Sequence, residues 1–210
     1  MIRIERGPEP DALTRARDEH LARARLRAKA PKAAAISGYD AARAPLEAVQ
    51  HQKCAYCELY VRVEGAPVEH YRPKGDAWDV QWDALGAIPK RKRRDADDED
   101  DARFVRGLPP LDARFGRVRW AKRSGYWWLA WTWENAVFGC SGCNSGVKGT
   151  RFPQAHGAIA LKGHEAPPSD ERPLLLDPTA IAPEDDPIKH IRFREVAGRW
   201  RPTPPPLNVT

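Results

Sequence analysis

Cys54-Ala55-Tyr56-Cys57 and Cys140-Ser141-Gly142-Cys143 contain all four cysteines of the chain. Two C-x2-C knuckles offer four soft thiolates, the donor set of a tetrahedral structural zinc. Two disulfides are the alternative use of the same residues. The chain opens on Met1-Ile2-Arg3-Ile4-Glu5-Arg6, with no apolar export segment. Adjacent knuckle cysteines also favour metal, so zinc is the expectation. Four thiolates leave no open coordination position, so such an ion builds structure and does not catalyse. Chemistry must come from polar groups near the knuckles: Glu69 and His70 after the first, Asn135 before the second, Asn144 and Lys148 behind it.

The segments CAYCE, VEHYRPK, WLAWTWENAVFGC and SGCNSGVKGTRFP follow one another in that order. Together they resemble the HNH endonuclease family with its ββα-metal core. The later RPLLLDP and DDPIKHIRF are similar to the retron-associated and Septu-type anti-phage defence sub-family, and the likeness covers most of residues 40–195. The resemblance implies phosphodiester hydrolysis. It makes His70 the general base that takes a proton from water, work suited to a side chain titrating near neutrality. It makes Glu69 and Asn144 ligands of a catalytic cation, and Asn135 the residue that orients the histidine and pins its loop. Oxygen donors of this kind suit Mg²⁺ or Mn²⁺. Many relatives carry Asp where Glu69 stands. Lys148, Arg72 and Lys74 are placed to neutralise phosphate charge.

Several elements must position these groups. Asp11 is expected to cap a helix running to about Lys29, with an Arg-rich outer face. A second helix is expected from about Asp40 to Gln50, with Pro45 confined to its first turn. Residues 59–63 alternate apolar and polar, and Val68 to Tyr71 returns after Glu64-Gly65-Ala66. This predicts a β-hairpin that presents His70 from its second strand. Asn144 to about Gly149 is expected to be a short helix, and the tryptophans between Trp127 and Trp133 are expected to be core. His51 lies three residues before Cys54 and is a fifth candidate zinc ligand. Brief strands are expected at Leu174–Leu176 and at Ile188–Phe193.

Residues 75–124 read as a long connection. In it, Lys90-Arg91-Lys92-Arg93-Arg94 is followed by Asp97-Asp98-Glu99-Asp100-Asp101. Such a block is expected to be disordered. The reading is therefore an α+β chain in three parts. Residues 1–50 form an N-terminal helical segment. Residues 51–153 form the HNH core with a charged insertion at about 85–107. Residues 154–210 form an irregular extension packing on the core.

The net charge of +6 agrees with a polyanionic partner, and no apolar run approaches a membrane span. Expected, then, is a cytoplasmic, metal-dependent endonuclease acting on nucleic acid, DNA first and RNA as the variant. An ATPase or reverse-transcriptase defence partner comes from the resemblance alone. The competing reading is a non-catalytic zinc-stapled module that binds nucleic acid or docks a partner.

Overall fold

The structure, a computed structural model, describes residues 3–26, 29–62, 66–82, 84, 120–163, 170–180, 186–190, 192–196 and 199–203. The charged stretch at about 85–107 lies outside the described residues. The chain is a mixture of short helices and three two-stranded antiparallel pairs among those residues. No described helix is long and apolar enough to cross a membrane.

Helix α1 is Asp11–Arg25 and α2 is Arg43–Val49. Asp11 is the first helical residue rather than the cap. Pro10 holds the cap position in extended backbone, and its carbonyl accepts the N–H groups of Leu13 and Thr14. Pro has a preset φ and no N–H to lose at a helix start, so this entry suits it. Pro45 falls in the first turn of α2, where its missing donor costs nothing.

Strand β1 is Val68–His70, β2 is Asp76–Val80, β3 is Trp120–Ser124 and β4 is Ala136–Phe138. β1 pairs with β4, placing Val68 against Phe138, Glu69 against Val137 and His70 against Ala136. This replaces the hairpin expected between residues 59–63 and 68–71. Among the described residues of that stretch, Leu59 and Tyr60 are exposed and Tyr60 bridges Lys53. All three residues of β1 are buried, and so are all three of β4. A strand covered on both faces shows no period of two. It pairs with the segment that is equally dry, although that segment lies far along the chain.

The connection after His70 is also more ordered than expected. β2 pairs with β3 over five residues each, from Asp76 against Ser124 to Val80 against Trp120. Gly125 lets this pair close on the chain leaving β1: a Cβ there would lie 1.5 Å from the Gly75 carbonyl oxygen. Tyr126 N–H then donates to the Pro73 carbonyl at 2.8 Å.

One core gathers Leu13, Ile36, Leu46, Val68, Trp131, Trp133 and Phe138. A second gathers Tyr71, Ala77, Tyr126, Trp128, Leu129 and Phe152. The tryptophans 128, 131 and 133 are therefore core, as their clustering predicts.

The chain after β4 turns into a π-helical segment, Gly142–Lys148. Toward the C-terminus, Pro187–His190 is a short helix, α3, followed by β5, Arg192–Val196, paired with β6, Arg199–Thr203. Ile188 is thus helical, and the strand expected from it begins only at Arg192. The strand expected at Leu174–Leu176 is absent. Its one neighbouring bridge joins Gln154 to Pro173, and Leu174 is exposed.

Candidate functional site

The four cysteine sulfurs all lie within 4.8 Å of one another. Zn–S bonds of about 2.3 Å in a tetrahedron require an S···S edge of about 3.8 Å, and Cys57 Sγ lies 3.8 Å from Cys140 Sγ. The donors fit zinc by type, number and spacing. The backbone is arranged around the sulfurs as well: Cys143 N–H donates to Cys140 Sγ at 3.3 Å, and Cys54 N–H to the Leu59 carbonyl at 3.0 Å. Thiols this close need a cation to ionise together. Hydrogen bonding from Cys143 draws the Cys54 thiol down to about 4, and the same bond pushes the Cys143 thiol up. His51 is not part of the cluster.

Gln50, at the end of α2, joins the first knuckle to β4. Its side-chain amide accepts Phe138 N–H at 2.7 Å and donates to the Phe138 carbonyl at 2.9 Å. Ala55 N–H reaches the same carbonyl at 2.9 Å. The knuckle therefore lies on the strand that pairs with β1, and β1 carries Glu69 and His70.

His70 is buried. Its Nε2–H donates to the Ala130 carbonyl at 2.9 Å, and Tyr39 packs edge-on against the ring. With the proton on Nε2, Nδ1 carries the lone pair. Burial, with the charges of Lys74 and Lys148, holds the imidazole pKa down to about 3, well below the near-neutral titration expected of it from the sequence, so the ring is neutral at pH 7 but a weaker base than an exposed histidine. The Ala130 carbonyl is itself positioned. Asn135 Nδ2 donates to the carbonyl of Leu129 at 3.1 Å and to that of Arg72 at 3.0 Å, while its Oδ1 accepts Arg72 N–H at 2.7 Å. One buried amide thus ties the loop that holds His70 Nε2 to the end of the strand that carries His70.

Lys148 reaches back from the end of the π-helical segment. Its Nζ lies 2.6 Å from Glu69 Oε1 and donates to the His70 carbonyl at 2.8 Å. Both side chains are dry, with relative exposures of 6% and 5%. Burial pushes the carboxyl up and the ammonium down, and each charge opposes the shift of the other. Truncating one partner of such a pair strands the other charge. Lys148→Met is therefore expected to cost about 3–5 kcal/mol in urea unfolding. Lys148→Met combined with Glu69→Gln should recover part of that loss, because the stranded charge is gone. A single variant with an unchanged midpoint would show the pair to be energetically idle.

The remaining candidates are spread around this centre. Asn144 is half-buried on the π-helical segment; its N–H donates to the Cys140 carbonyl at 2.9 Å, which ties it to the second knuckle. Arg72 Nε lies 2.8 Å from Glu171 Oε2, largely buried over the Tyr71 and Phe152 rings. Lys74 Nζ lies 4.1 Å from the centre of the Tyr39 ring, the ring that packs on His70. Among the described residues, the cysteines are the one group of three or more His, Cys, Asp or Glu side chains close enough to hold a metal.

The chain is similar to the Septu protein PtuB. That relative, from Bacillus mycoides (strain KBAB4), is 29% identical over 146 residues, which is 68% of this chain and 35% of the relative. The chain thus spans about a third of the length of the curated relative it matches. No protein-family model matches the chain, and no solved structure matches it.

Two residues that brace the candidate site carry no signal in the sequence. Gln50 carries no motif, and only its place just before the first knuckle could have drawn attention to it. Glu171 receives Arg72 and the hydroxyl of Tyr126, and its Oε1 also accepts Leu161 N–H at 3.2 Å. It fastens the C-terminal extension to the chain leaving β1. Nothing near Glu171 in sequence marks it out.

Proposed function

We propose that the chain is a metal-dependent HNH endonuclease that hydrolyses phosphodiester bonds in nucleic acid, with β1, β4 and the segment Gly142–Lys148 as its ββα unit. The observation that carries this reading is the setting of His70: Nε2–H fixed on the Ala130 carbonyl, and that carbonyl's loop pinned by Asn135. Such support suits a base, because its lone-pair nitrogen must be aimed.

In this reading Nδ1 of the neutral ring takes the proton from the attacking water. Lys148 holds the strand carrying that ring to the helix, and Asn135 keeps the ring in one tautomer. Glu69 and Asn144 would hold Mg²⁺ or Mn²⁺, whose chemistry is to stabilise charge on the phosphate and the leaving oxygen. The donors fit by type. Glu69 has two carboxylate oxygens, Lys148 lies against Oε1, and a further cation would relieve the carboxylate's burial. Lys74 stands beside the same ring system to receive phosphate charge.

The likeness to Septu protein PtuB supports extending the reading to an anti-phage defence effector; an ATPase or reverse-transcriptase partner is implied by the motif resemblance alone. The test is direct. Purified protein with Mg²⁺ or Mn²⁺ should convert supercoiled plasmid to nicked or linear product, and His70→Ala should not. A parallel RNA substrate decides between polymers. A protein that retards DNA in a salt-dependent way but never cuts it, with or without its partner, would instead be a zinc-stapled binding module.

A further inference from the structure

Trp78 stands outward on β2, 39% exposed. Its antiparallel partner on β3 is Lys122. On its other side the chain leaving the π-helical segment runs parallel to β2, with Arg151 as its bridge partner. Trp78 N–H donates to the Thr150 carbonyl at 2.9 Å, and Phe152 N–H to the Trp78 carbonyl at 2.8 Å, which fixes this register. Directly paired residues share a face of a sheet. Arg151, Trp78 and Lys122 therefore form one row, a cation on each side of an exposed indole. Trp120, opposite Val80, adds a second aromatic to the same face.

The row lies beside the candidate site. Arg151 Nη1 donates to the Val147 carbonyl at 2.7 Å, and the next residue is Lys148, which contacts Glu69 and the His70 carbonyl. Lys122 Nζ is 2.8 Å from Asp76 Oδ2, with side-chain exposures of 56% and 59%. Exposed pairs of this kind are weak and exchange readily.

We infer that Trp78 is a stacking platform for an unpaired nucleic-acid base, with Lys122 and Arg151 taking the flanking phosphates. The chemistry selects this occupant. A base has a π-face for the indole, and the strand supplies anions on both sides of it. An apolar protein segment would find cations at both edges of the patch. The inference rests on the nuclease reading for its substrate class and adds the place where a separated strand is held.

The experiment is anisotropy of a labelled single-stranded oligonucleotide with the full chain and no added Mg²⁺ or Mn²⁺, so that binding is read without cleavage. Trp78→Ala is expected to weaken binding about tenfold or more, and Trp78→Phe to retain most of it. Lys122→Gln and Arg151→Gln should each lower the salt slope by roughly 0.7. A strand with abasic positions should bind wild type about as weakly as the intact strand binds Trp78→Ala, a comparison that does not depend on a variant folding. Intact and abasic strands that bind wild type equally, or a folded Trp78→Ala protein that binds like wild type, would overturn the inference. The two readings fail separately. Cleavage without Trp78-dependent binding leaves the nuclease and removes the platform; Trp78-dependent binding without cleavage does the reverse.

Discussion

Cys140→Ser is expected to abolish zinc binding and to take the site's fold with it. Cys140 follows β4 by two residues, and Cys143 lies within the π-helical segment that carries Asn144 and Lys148. Their partners, Cys54 and Cys57, stand next to the loop whose Ala55 N–H meets the Phe138 carbonyl. The ion would therefore join α2, β4 and the helical segment at one point. β1 and β4 are only three residues each, and an isolated two-stranded pair is marginal in water. Structural zinc contributes an apparent ~10–16 kcal/mol in small folded modules, against a total domain stability of about 5–15 kcal/mol. Loss of one ligand of four should thus remove most of the cooperative unfolding transition. Metal analysis of reduced, purified protein should find one zinc in wild type and none in Cys140→Ser, with near-ultraviolet dichroism lost in parallel. Zinc-free wild-type protein with a sharp melting transition would refute this account.

The knuckles were legible because their information is local: four residues and two spacings, which the structure brings into one cluster that fits zinc. The helices were legible for the same reason, although α1 ends at Arg25, four residues short of Lys29, and α2 begins at Arg43, three residues after Asp40. The pairing of β1 was not. Val68-Glu69-His70 and Ala136-Val137-Phe138 carry no alternation, because each is covered on both faces. The 59–63 stretch does alternate, which predicts a hairpin strand, yet Leu59 and Tyr60 stay exposed and only Val61 packs on the core among its described residues. Periodicity finds strands that are half-wet, and this site is built on strands that are dry.

The polar residues divide along the same line. His70 and Asn135 were legible as a motif, but the reason Asn135 matters, three hydrogen bonds closing one loop on another, exists only in three dimensions. Lys148 was read as a cation for phosphate. The structure places it in the dry interior against Glu69, where its first task is to hold the helix to β1. Arg72, read as a phosphate contact, is engaged by Glu171, 99 residues away. Long-range ion pairs of this kind leave no trace in composition or spacing, since either partner alone looks like an ordinary surface charge.

On the proposed nuclease reading, His70→Ala is expected to remove cleavage by about 10²–10⁴-fold, the usual loss when a general base is deleted. The fold must survive for that number to mean anything. His70 packs against Tyr39, and removing the ring leaves the Ala130 carbonyl without its donor, so some stability will be lost. His70→Gln is the necessary companion, because its amide can still donate to that carbonyl while offering a far weaker base. If both variants hold zinc and melt cooperatively yet neither cuts, the loss is chemical. If Gln restores both stability and cutting, the imidazole was serving only as a donor and the mechanism is wrong. Asn135→Ala should fall between wild type and His70→Ala, since it frees the Leu129–Ala130 loop without removing the reacting nitrogen. Glu69→Ala and Asn144→Ala should behave differently again, shifting the Mg²⁺ or Mn²⁺ concentration needed for half-maximal rate. Excess cation should rescue Asn144→Ala more fully than Glu69→Ala, because the latter also leaves Lys148 buried without its carboxylate. A Glu69→Ala protein with an unchanged cation requirement would mean that this carboxylate serves the ion pair alone.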